Sequence, residues 1–117
     1  MKGENELKLI RDYINLEIKT YEDLLKNETS INKKYIYSGA LWTLNKLLDI
    51  FDEDNLFSFN YDWAYHYCKY NLNMLQAIEN YETRIRDEKL IDFRISNMGS
   101  KEVLMHLRDH IERLQRR

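Results

Sequence analysis

Residues 35–51 read YIYSGALWTLNKLLDIF, and this stretch decides the fold. Tyr37, Leu41, Leu44, Leu48 and Phe51 recur at steps of four, three, four and three, the spacing of one face of an α-helix. Ala40 and Leu47 widen that face. Ser38, Gly39 and Ala40 form a step of small residues where a second backbone can come close. The spacing predicts the central helix of a small helical domain.

Working outward, residues 4–26 carry Leu7, Ile10, Ile14, Ile18, Tyr21 and Leu25 at helical spacing, with charges interleaved on the opposite side. Asn27 to Ser30 breaks that pattern, and Thr29 or Ser30 can cap the helix that follows. So short a connection predicts an antiparallel hairpin of the first two helices. Residues 52–60 form the next break, where Asp52, Glu53 and Asp54 sit at the carbonyl end of the central helix, the unfavourable end for negative charge. A third helix is expected from about Asn60 to Arg86. Its inner face is traced by Trp63, Tyr67, Tyr70, Met74, Ala77, Ile78, Tyr81 and Ile85, with Tyr61, Tyr65, Cys68, Leu72 and Leu75 on other faces.

Beyond it, Ile91, Phe93 and Ile95 alternate with polar residues, a strand-like period, and Asn97 to Gly99 reads as a turn. Ser100 is then the expected cap of a shorter C-terminal helix striped by Leu104, Leu107, Ile111 and Leu114. The expected fold is all-α, a single domain spanning 1–117: an antiparallel bundle of three long helices and a shorter C-terminal one, with a short extended segment at 91–95.

Composition supports this. With no proline and three glycines, the turns that a β-sandwich or barrel requires are scarce. An apolar share of 44% against 32% charged residues fits a globular chain and not a disordered one. No apolar run approaches the roughly 20 residues of a membrane span. The opening MKGENELKLI lacks the apolar core of a secretory signal, so a cytoplasmic location is expected. The single cysteine, Cys68, leaves no internal disulfide and reads as a small core residue. Abundant Lys, Asn, Ile and Tyr with three alanines point to an AT-rich genome, such as a low-GC bacterium or its phage.

The candidate chemistry is sparse. Glu102, His106 and His110 share the last helix at one-turn spacing, a pattern that can hold a metal. HLRDH, however, lacks the glutamate that follows the first histidine in a zinc-protease helix, and a solvated polar face is the favoured reading. No metal, cofactor or catalytic residue is expected. Lys101, Arg108, Arg113, Arg116 and Arg117 give the C-terminal stretch a mild basic excess. They would be the contacts if the chain were a DNA-binding accessory factor, the alternative reading. A net charge of −2 argues against nucleic acid as the partner.

What the chain holds in excess is aromatic surface beside acids: Phe57, Phe59, Tyr61, Trp63 and Tyr65 next to Asp52, Glu53 and Asp54. Rings anchor protein interfaces and acids steer towards basic patches. The expected role is therefore a small non-enzymatic regulator or inhibitor that binds another protein. A phage-encoded inhibitor of a host enzyme or defence system, an anti-CRISPR for example, fits the size and composition. A homodimer is also expected, burying the aromatic cluster or pairing 91–95 across a two-fold axis.

Overall fold

The computed structural model describes residues 2–53, 60–85 and 91–116. For 2–4, 52–53, 81–85 and 91–93 it describes the backbone alone. Four helices follow in order: α1 (Lys2–Asn27), α2 (Ile31–Glu53), α3 (Tyr61–Ile85) and α4 (Ile91–Gln115). They pack into an all-α bundle, with no strand among the described residues. The most extensive contact is between α2 and α4; α3 packs on α4, and α1 on α2.

Local chemistry sets the helix starts. At the α1–α2 turn the Glu28 carboxylate accepts hydrogen bonds from the Thr29 and Ser30 amides, at 3.1 and 3.0 Å. The Ser30 carbonyl then receives the Lys34 amide and opens α2. Asn60 caps α3: its Oδ1 accepts the Trp63 amide at 2.8 Å, and its carbonyl accepts the Ala64 amide. A second free amide at this end, that of Tyr61, donates to Glu6 Oε2 at 3.2 Å, which ties α3 to α1.

The core is built from Leu7, Ile10 and Ile14 of α1, Leu44, Leu47 and Phe51 of α2, Ala64 and Cys68 of α3, and Leu104, Leu107 and Ile111 of α4. On α2 the buried centre is turned from the expected Tyr37–Leu41–Leu48 line towards Ala40, Leu44 and Leu47, leaving those three residues half-buried. The cause is α4, which lies against Gly39 and Ala40. A methyl group at Gly39 would stand 2.1 Å from the Ser96 carbonyl oxygen, and one at Gly99 would stand 1.9 Å from that of Ile36. The two backbones therefore touch, as small residues on both helices allow. Beside the crossing, Thr43 Oγ1 donates to Ser100 Oγ at 2.7 Å, and the Ser100 hydroxyl donates to the Gly39 carbonyl at 3.2 Å. Gly39 meets Ser96, Gly99 meets Ile36 and Ala40, and Thr43 meets Ser100, so α2 and α4 cross at this point.

Several expectations are corrected. The alternation at 91–95 does not make a strand, because the backbone there is the first turn and more of α4. Gly99 is not a turn residue and Ser100 is not a cap, since both lie inside that helix. The C-terminal helix is accordingly as long as its neighbours, at 25 residues against 26, 23 and 25. The contact with α2 at Ser96, Gly99 and Ser100 overrides the local two-residue period. The face of α3 is also rotated. Ala64 and Cys68 are buried, with Tyr61, Tyr65, Leu72 and Leu75 beside them, whereas Tyr70, Met74 and Ile78 are exposed. Apolar residues lie on both sides of α3, and α4 packs on the side whose small residues permit close approach.

A candidate partner-binding groove

The helices α2 and α3 meet where Phe51 packs edge-on against Trp63 and Tyr67, with ring centroids 5.6 and 6.1 Å apart. Further from that contact they flank a groove of about 510 Å³, and α4 forms its floor. The α2 wall is Ser38, Trp42, Lys46 and Ile50; the α3 wall is Tyr67, Asn71 and Leu75. The floor is Ser96, Asn97, Ser100 and Leu104, small except at its end. Trp42 is 64% exposed, and Lys46 Nζ lies over its ring, 5.7 Å from the centroid. Met74 and Ile78 continue the helical face of Tyr67 and Asn71 at steps of three and four, so the α3 rim stays apolar past the groove. Exposed apolar surface gathered around a concavity is the usual mark of a binding site.

Among the described residues Lys46 is the one charged residue in the lining. Asn97, only 9% exposed, has a buried Nδ2 with no hydrogen-bond partner. Asn71 Nδ2, by contrast, is satisfied by the Tyr67 carbonyl at 2.8 Å. The charge is a donor open to the groove, whereas the orphaned Asn97 group is shut off from it. A ligand that fills this groove is therefore matched by an apolar body carrying an acceptor.

The residues singled out from the sequence fall elsewhere. Asp54, Phe57 and Phe59 lie outside the described residues, and for Asp52 and Glu53 only the backbone is described. Tyr61, Trp63 and Tyr65 are half-buried against the core, with Trp63 stacked on Tyr67 at 5.5 Å. In the basic set, Lys101 pairs with Glu79, Arg108 with Asp109 at 3.2 Å, and Arg116 with Glu112 at 2.9 Å. Arg113 is exposed, and Arg117 is outside the described residues. Sequence reading passed over Trp42. It sits about 100° round the helix from Leu41, off the periodic stripe, and a large ring off the stripe was the available signal.

The histidines do not converge. His106 is exposed, and His110 stacks on Tyr13 of α1 with centroids 4.1 Å apart and planes 11° from parallel. Among the described residues no group of three or more His, Cys, Asp and Glu side chains is placed to hold a metal ion. Near this stack Cys68 is fully buried. Burial pushes its thiol from 9.0 up to about 12, against a smaller opposing pull from Arg108. Burial also raises Tyr13 from 10.0 to about 12, helped by Glu17. Such a thiol does not serve as a nucleophile near neutral pH.

These shifts fix a pH dependence. The protonated forms are favoured by folding, so their stabilisation is complete below the unfolded-state values and is lost as pH climbs towards about 12. The melting temperature is expected to fall above pH 9.0, the ordinary value of the thiol, and Cys68→Val should flatten the first part of that fall. A thiol reagent at about pH 8 should label the native protein only through unfolding. Prompt labelling would show that Cys68 is not buried.

Comparison with known proteins finds no family model that matches the chain, and no curated protein or solved structure similar to it. No helix among the described residues is long and apolar enough to cross a membrane.

Proposed function

We propose that the protein works by binding another protein, as a small non-enzymatic regulator or inhibitor, and that the α2–α3 groove is the surface it uses. The observation that carries this reading is the groove itself: about 510 Å³, apolar in its walls, with Trp42 standing 64% exposed on its rim. Tryptophan is among the residues most enriched where interfaces draw their affinity. The half-buried Tyr61, Trp63 and Tyr65 belong to the same end of α3 as Tyr67 and extend that apolar surface towards the α2–α3 connection. A cytoplasmic phage inhibitor of a host enzyme or defence system remains the biological setting that size and composition fit.

The test is capture from lysate of the bacterial host with tagged full-length chain, run beside Trp42→Ala. The wild type is expected to retain a protein, and the variant to retain it about tenfold less well. Trp42 is exposed, so the variant should melt like the wild type. Capture of nucleic acid instead, lost on changing Arg113 and Arg116 to Ala, would replace this reading with the DNA-binding one. Equal retention by Trp42→Ala would move the interface off the groove.

A further inference from the structure

We infer that the occupant of the groove is an amphipathic α-helix of the partner protein, with a carboxylate at the edge of its apolar face. This rests on the groove being the binding surface. Its shape is that of a helix seat, with one helix on each side and a third beneath.

The floor residues are small where the groove passes over the crossing of α2 and α4. Ser96 and Ser100 present short side chains there, so a fifth helix can settle between the walls. On α2 the lining runs from Ser38 to Ile50, a span of about 18 Å, or three to four helical turns. The α3 wall presents Tyr67, Asn71, Met74 and Ile78 at steps of four, three and four, the ridge spacing that packs against another helix. The sequence gives this face of α3 the same apolar period as a buried one, yet Met74 and Ile78 are exposed, and among the described residues no helix covers them. An extended strand would need an open sheet edge to pair with, and the bundle has none among its described residues. Side chains along one helical face meet the groove without leaving backbone groups unpaired.

The charge follows from the lining. Among the described residues Lys46 supplies the only charge, and it stands on the rim beside Trp42. The Asn97 amide nitrogen of the floor is shut off from solvent and leaves the choice to Lys46. A helix with leucine-like residues for the walls and an Asp or Glu for Lys46 complements the apolar lining and that charge. A basic residue at that place would oppose Lys46.

The experiment is selection from a displayed library of peptides about 18 residues long, long enough to hold a helix. Apolar residues are fixed at i, i+3, i+4 and i+7, and the flanking positions are varied fully. Wild type and Lys46→Glu are the baits, with Trp42→Ala as a control. Wild type should enrich helices with Asp or Glu at one flanking position. Lys46→Glu should enrich Lys or Arg at that position, and Trp42→Ala should bind the selected peptides about tenfold more weakly.

Three outcomes would overturn the inference: no enriched helical sequence, no change of preference with Lys46→Glu, or undiminished binding by Trp42→Ala. So would a finding that the groove is filled by a second copy of the chain, read by sedimentation as a dimer that Trp42→Ala dissolves. If peptides fail while Trp42-dependent capture of a folded protein succeeds, the groove reading stands and the helix inference alone falls.

Discussion

Gly99→Ala is expected to lower stability by about 3 kcal/mol, at the upper end of what overpacking costs, and to drop the melting point by on the order of 10 °C. Alanine is the better helix former by about 0.5–1 kcal/mol, so propensity alone predicts the opposite sign. The geometry decides between the two. The new methyl would stand 1.9 Å from the Ile36 carbonyl oxygen and 2.9 Å from the Ala40 nitrogen, both backbone atoms of α2. No rotamer change relieves a clash with backbone, so the helices must move apart. In the native chain the glycine hydrogen points at that oxygen instead, a weak contact of about 0.5–1 kcal/mol.

Gly39→Ala meets the Ser96 carbonyl at 2.1 Å and should behave alike. The double variant should cost less than the sum, because one separation of α2 from α4 relieves both clashes. Urea titrations of the four proteins check the series. A higher midpoint for either alanine variant would mean that the helices do not touch at this crossing.

Phe51→Ala should cost about 3–5 kcal/mol, the range for truncating a fully buried aromatic ring. Phe51 is 0% exposed in the last turns of α2 and meets Trp63 and Tyr67 edge-on. Removing it leaves a cavity where α2 and α3 are joined, and it strips two aromatic contacts whose preferred geometry adds to the buried area. Phe51→Leu refills most of the volume and should cost clearly less. In a Trp42→Phe background, Trp63 reports on the site, and its emission should shift to the red in Phe51→Ala. An unshifted spectrum with an unchanged melt would remove Phe51 from the core.

The helical class was readable because Leu7, Ile10 and Ile14, and Leu44 and Phe51, repeat at a spacing that only a helix turns to one side. The start of α3 was readable near Asn60, which caps it, whereas Ser100 has the chemistry of a cap and lies inside α4. Two features were not readable. On α3 both sides are apolar, so periodicity could not choose between Ala64–Cys68 and Tyr70–Met74; the choice belongs to the tertiary contact with α4. At 91–99 the local alternation and a lone glycine imitate strand and turn. Gly99 has meaning only as the counterpart of Gly39, some sixty positions earlier, and no local window of sequence joins the two.

The groove was illegible for the same reason. Its walls come from residues 38–50 and 67–75 and its floor from 96–104. The densest run of aromatics is 57–65, while Trp42 stands alone off its stripe. The acidic and aromatic residues at 54–59 lie outside the described residues, so their part in binding is a matter for the same experiments.

Binding of a partner protein through the α2–α3 groove is tested by amide and indole shift mapping of labelled chain with the captured partner. The Trp42 indole and the amides of Lys46, Tyr67, Asn71, Leu75 and Ser96 should move together at saturating partner. The amides around His106, Arg113 and Arg116, away from the groove, should stay in place. Shifts confined to the C-terminal turns of α4, with Trp42 unmoved, would contradict the account.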